Sequence, residues 1–183
     1  MPLVVILALL FATLSGTTGG ADSTANPTNG ALPPVTASAP PHAAADSAAC
    51  TKVLEQLPVA LGSLQPRVVH TKPDTPDVVA WGNPPVVLAC GVDRPKSLQP
   101  GSSVEDILGG DDAGPYYDVT ESGSAAVWTT VDRAVYIAIT VPVKYQGADV
   151  LPPLSKAIAA ALPAVCDGSG TAPNPADLCT RRK

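Results

Sequence analysis

The stretch Ala80–Gly91, AWGNPPVVLACG, constrains the fold more than any other part of the 183-residue chain. Gly82-Asn83-Pro84-Pro85 is turn chemistry. Glycine supplies positive φ, asparagine tolerates it, and the prolines fix φ at about −65° without offering a backbone donor. Val86-Val87-Leu88-Ala89-Cys90 is uncharged, β-branched at its start and too short between Pro85 and Gly91 for a helix. It reads as a buried strand. Val86, Leu88 and Cys90 fall on one face, Val87 and Ala89 on the other, and a strand apolar on both faces is expected to be central and covered on both sides. Val78–Trp81 reads as its short partner strand. Trp81 is either a stacking platform for a ligand or a core aromatic beside the turn, and the core reading is the commoner fate of such a residue.

The four cysteines, Cys50, Cys90, Cys166 and Cys179, suit an oxidising compartment. There is no C-x-x-C and the chain has only two histidines, which argues against a zinc site or a redox pair. Three pairings are open. Cys50–Cys90 with Cys166–Cys179 is preferred, because the first ties a helix start to the strand end and the second closes a C-terminal loop poor in apolar residues. Each is worth roughly 3 to 4 kcal/mol by loop entropy. Leu3–Leu14 is mostly apolar and is followed by small residues through Ala21, so residues 1–21 read as a secretory signal, cleaved after Ala21. No Lys or Arg precedes the apolar run, so the true start lies upstream or the amino terminus alone serves the charged region. Left uncleaved, the segment would act as a weak membrane tether.

Residues 22–45 are Ala, Pro, Thr, Ser and Gly with almost no charge, a composition expected of a disordered linker, with His42 solvated inside it. A folded domain is expected over 46–165, with Asp46 or Ser47 capping a helix whose apolar stripe is Cys50, Val53, Leu54 and Leu57. Arg67–His70 reads as a strand and His70 as an exposed strand end rather than a base or ligand. Gly109–Gly114 lacks the acidic pattern of an EF-hand and the lysine of a P-loop, so it reads as an exposed turn. Tyr116–Thr120 and Ala125–Thr130 are strands joined by the hairpin signal Glu121-Ser122-Gly123-Ser124. Ala134–Val141 alternates most clearly, and a final helix carries Leu154, Ile158, Ala161 and Leu162, with Pro152 and Pro153 in its first turn and Pro163 as its stop. The sum is one α+β domain: a mainly antiparallel sheet of four to six strands with two helices packed on it, pinned by disulfide, followed by a disulfide-closed tail over 166–183.

AWGNPPVVLACG, TTVDRAVYIAITVP and VLPPLSKAIAAALP, with a cysteine near the start of the first helix, resemble an actinobacterial exported family of unknown function. The resemblance covers Cys50–Pro163. It implies that Cys50 and Cys90 correspond to the family's two characteristic cysteines. Members commonly show a tryptophan where this chain has Tyr116-Tyr117, and the Cys166–Cys179 tail looks like an extension. No activity or cofactor comes with the family.

Net charge is −5 and the basic residues are scattered, apart from Arg181-Arg182-Lys183, so nucleic acid is not an expected partner. No nucleophile elbow or H-E-x-x-H occurs, and no catalytic residue, metal ligand or cofactor is expected. The favoured reading is a non-catalytic module in the cell envelope that binds a protein or glycan through exposed aromatics, with Trp81, Trp128 and Tyr116 as candidates. Contact with a membrane is expected only through an uncleaved N-terminal segment. The alternative is a hydrolase acting on envelope material through Asp118, Glu121 and Asp132, and a purely structural or chaperone-like role is the third.

Overall fold

The computed structural model describes residues 32–99, 102–108 and 114–165. Its elements run Val35–Ser38 (β1), Ala43–Gln56 (α1), Pro66–Arg67 (β2), Val69–Lys72 (β3), Val78–Trp81 (β4), Val86–Cys90 (β5), Glu105–Asp106 (β6), Tyr116–Ser122 (β7), Ala125–Thr130 (β8), Ile137–Pro142 (β9) and Gly147–Ala161 (α2). The fold is α+β. An antiparallel sheet in the order β2-β4-β5-β9-β8-β7-β6 carries both helices on one face, and β1 and β3 form a separate parallel pair. The sheet has seven strands rather than four to six, because it includes the two-residue edges β2 and β6.

The anchoring stretch behaves as its alternation demands on one face only. Leu88 pairs with Ile139 and Cys90 with Ile137, and these four side chains are fully buried with Val86 under Cys50, Val53, Leu151, Leu154 and Ile158 of the helices. Val87 and Ala89, expected to be covered as well, are only half-buried, because both helices pack on the opposite face. The Cys50–Cys90 disulfide pins α1 to the end of β5. The Cys166–Cys179 pair and the segment 1–21 lie outside the described residues.

The domain begins earlier than Asp46. Within the expected linker 22–45, residues 22–31 lie outside the described residues, whereas Val35–Ser38 forms β1 and pairs in register with Val69–Lys72. Its stabilisation is a backbone ladder, which side-chain composition cannot reveal. The first helix likewise starts at Ala43 rather than at an Asp46 or Ser47 cap. Three consecutive alanines, the best helix formers, extend it backward until Pro40-Pro41 stops it, and Asp46 becomes a first-turn acid that suits the helix dipole. His42 precedes the helix, its Nε2 lying 2.9 Å from Asp93 Oδ1 while its N–H donates to Gly91 O.

In α2 the two prolines lie inside the helix, not in its first turn, since the helix already starts at Gly147. Each removes one interior hydrogen bond, a loss offset by burial of Val150, Leu151, Leu154, Ala157 and Ile158. The strand expected over 134–141 starts at Ile137, because residues 131–135 bend around a buried charged pair. The β7–β8 hairpin closes at Ser122 opposite Ala125, with Gly123 at φ 51°, the left-handed conformation its turn requires.

Candidate functional site

An apolar groove of about 260 Å³ lies at the β2 end of the sheet. Its walls come from the last turn of α1 (Leu54, Leu57), from Pro58 and Val59, from β2 (Pro66, Arg67) and from β4 (Val79–Trp81). The sequence builds it in three steps. Pro58 ends the helix stripe, and Leu54 and Leu57 are left half-buried, Leu57 at the margin of the core. Pro66 has no backbone N–H and β2 lasts two residues, so the sheet edge stops short of covering β4. Finally Trp81, only 3% exposed, donates its indole N–H to Val59 O at 3.0 Å and holds that loop against the sheet. The Val59 side chain is thereby left 81% exposed, and Val68, next to β2, is 60% exposed.

Arg67 supplies the groove's only cationic lining residue. Its Nη1 donates to Gly82 O at 2.7 Å and its Nη2 to Pro33 O, while Nε is buried with no hydrogen-bond partner. No carboxylate pairs with it among the described residues.

A second, more polar groove of about 330 Å³ lies between Leu61–Leu64 and the start of α2, lined by Lys144, Tyr145, Gln146 and Asp149. Lys144 Nζ donates to Asn83 O at 2.7 Å and sits 5.6 Å from the centre of the Tyr145 ring. The Tyr145 hydroxyl accepts the Asn83 N–H at 3.0 Å. These groups brace the Gly82–Pro85 turn.

Several other polar groups form buried structural contacts. Tyr117 and Ser155 share a hydroxyl–hydroxyl hydrogen bond of 2.8 Å between β7 and α2. Burial pushes the Tyr117 phenol well above its ordinary range, against the opposing influence of that bond. Arg133 Nη1 donates to Asp132 Oδ2 at 2.7 Å, both side chains nearly inaccessible, and Asp132 Oδ1 accepts the Tyr116 N–H at 3.0 Å. Asp118 accepts from Ser97 Oγ at 2.7 Å, and Glu121 is exposed on β7. The three carboxylates named from sequence therefore have separate surroundings: two make internal hydrogen bonds and one faces solvent.

The three candidate aromatics are likewise apart. Trp81 walls the groove. Trp128 is half-buried, edge-on to Tyr117 with ring centres 6.0 Å apart and an interplanar angle of 80°. Tyr116 lies on the other face of β7 from Tyr117, packed with Leu98 and Val131. His70 is exposed on β3. Among the described residues no group of three or more His, Cys, Asp or Glu side chains is placed to hold a metal ion. No described helix is long and apolar enough to cross a membrane. Sequence reasoning found Trp81 but missed Arg67 and Val59, for which the only signal is their placement beside Pro66 and Pro58.

Fold and groove together define a disulfide-pinned, two-layer α+β domain with an apolar recess at one sheet edge. The chain belongs to the family described as "Protein of unknown function (DUF3515)", whose model matches residues 1–166. No curated protein and no solved structure matches it.

Proposed function

We propose that this is an exported protein of an actinobacterial cell envelope whose folded domain is a non-catalytic interaction module, with the groove beside Trp81 as its contact surface. The observation that carries this reading is an apolar recess at a sheet edge, with the exposed Val59 among its lining residues. Exposed apolar surface of this kind marks places where another molecule docks. Two further observations support it. Asp118 and Asp132, the carboxylates a hydrolase would draw on, are engaged in internal hydrogen bonds. The Cys50–Cys90 disulfide suits an oxidising compartment beyond the membrane.

The test is cross-linking in intact producing cells, with mass spectrometry of whatever is joined to residues 54–68. One dominant protein or glycan adduct at that segment supports the module. Only diffuse adducts spread over the whole surface would sink it. Sequencing the amino terminus of the mature protein checks export, with cleavage after Ala21 as the expected result.

A further inference from the structure

The parallel strand β1 offers a second contact, one that rests on the interaction-module reading above and names the form its partner takes. Through residues 65–72 successive backbone groups face opposite ways. Gln65 O accepts the Gly82 N–H on the β4 side, whereas Val68 O accepts the Val35 N–H on the β1 side. β1 is therefore the outermost strand there. Its N–H groups at Val35 and Ala39 donate to Val68 O and Lys72 O, so the alternation turns the N–H and C=O of Thr36 and Ser38 away from β3. Both residues are exposed, and no described strand pairs with them on that side.

Two other described strands end the sheet, and both are blunted. β2 has two residues, of which Pro66 has no N–H, and β6 is the exposed acidic pair Glu105-Asp106. β1 carries no charge over Val35–Ser38, and Pro33-Pro34 and Pro40-Pro41 bound its length without covering its open side. We infer that β1 takes up a short extended strand of a partner polypeptide, which adds to it by backbone hydrogen bonds to Thr36 and Ser38. A second copy, pairing β1 with β1, is the other occupant such an edge admits. Through four residues alone it would bury far less than the roughly 1,200 Å² a stable dimer needs. A separate polypeptide has more to hold, because β1 begins beside the recess: Arg67 donates to Pro33 O, and Pro66 and Arg67 line that recess.

The test follows the Thr36 and Ser38 amides of the full oxidised chain by NMR during titration with two synthetic eight-residue Val-Thr peptides. One is N-methylated at alternate residues, which leaves it a single donor edge and prevents self-association. The other is N-methylated throughout and has no backbone donor. The expected result is a shift and slower hydrogen exchange at both amides with the first peptide and neither with the second. Thr36→Pro and Ser38→Pro each delete one outward N–H and leave the bonds of Val35 and Ala39 to β3 in place. Each should weaken the first peptide about two- to tenfold, as loss of one backbone hydrogen bond implies, and the double variant should abolish the response. Equal response to both peptides, or a response that survives the double variant, overturns backbone pairing at this edge. Shifts at the same amides on raising the protein concentration alone, with no further response to peptide, overturn the separate partner in favour of a second copy. No response at either amide overturns the edge as a docking site. If residues 54–68 still gain one dominant adduct in cells, the recess reading then stands alone, and if they do not, both fall.

Discussion

Tyr117 and Ser155 show how much of this fold hangs on single buried polar contacts. Each hydroxyl satisfies the other in a fully inaccessible place. Tyr117→Phe should therefore cost about 1 to 3 kcal/mol in urea denaturation by stranding the serine hydroxyl, and adding Ser155→Ala should recover part of the loss. The same tyrosine makes stability fall in alkali. Below pH about 10, the ordinary tyrosine value, native and unfolded chains both carry the phenol proton and its contribution is complete. Above it the unfolded chain releases a proton that the native state retains, so unfolding becomes easier as pH rises. A stability-versus-pH profile should show this slope above pH about 10, and Tyr117→Phe should reduce it. Asp132→Asn is the harsher change, since it removes the carboxylate held 2.7 Å from the nearly inaccessible Arg133 guanidinium. A loss of about 3 to 5 kcal/mol is expected by the same denaturation assay.

Among the elements, the junction of α1 with β5 is closely packed. Gly91 has φ 85°, and a Cβ there would lie 2.9 Å from Ala43 N, on backbone that cannot swing aside. Gly91→Ala should cost at least about 1 kcal/mol, whereas Gly123→Ala, where no atom crowds the added carbon, should show the left-handed penalty alone. Comparing their thermal midpoints separates crowding from conformational strain. The strands that alternation marks, β4, β5, β7, β8 and β9, were legible because each buries one face against a helix or its neighbours. The parallel strand β1 was not, since it exists through backbone pairing that leaves little trace in hydropathy. Part of the groove was legible for the same reason. Trp81 is a large aromatic beside a turn and invites attention, but Arg67 acquires its meaning only where β2 stops.

For the molecule as a whole, the Cys50–Cys90 link closes a loop across a sequence separation of 40 residues. A loop of that length is worth about 4 kcal/mol by chain entropy, so the Cys50→Ala/Cys90→Ala variant should lose about that much against the oxidised protein in urea. At Val68 the extended chain changes partners, leaving β4 after Arg67 and taking up β1 from Val69 onward. That exchange keeps the far edge of β3 covered by a strand drawn from a stretch that looks, by composition, dispensable. Trimming the chain to Asp46 would remove β1, deprive Arg67 of the Pro33 carbonyl and bare a row of ladder groups ready to pair with any other chain. The shortened protein should elute from a sizing column as concentration-dependent multimers, while one beginning at Leu32 keeps its edge covered. Residues 35–38 thus cover one edge of β3 with a paired strand.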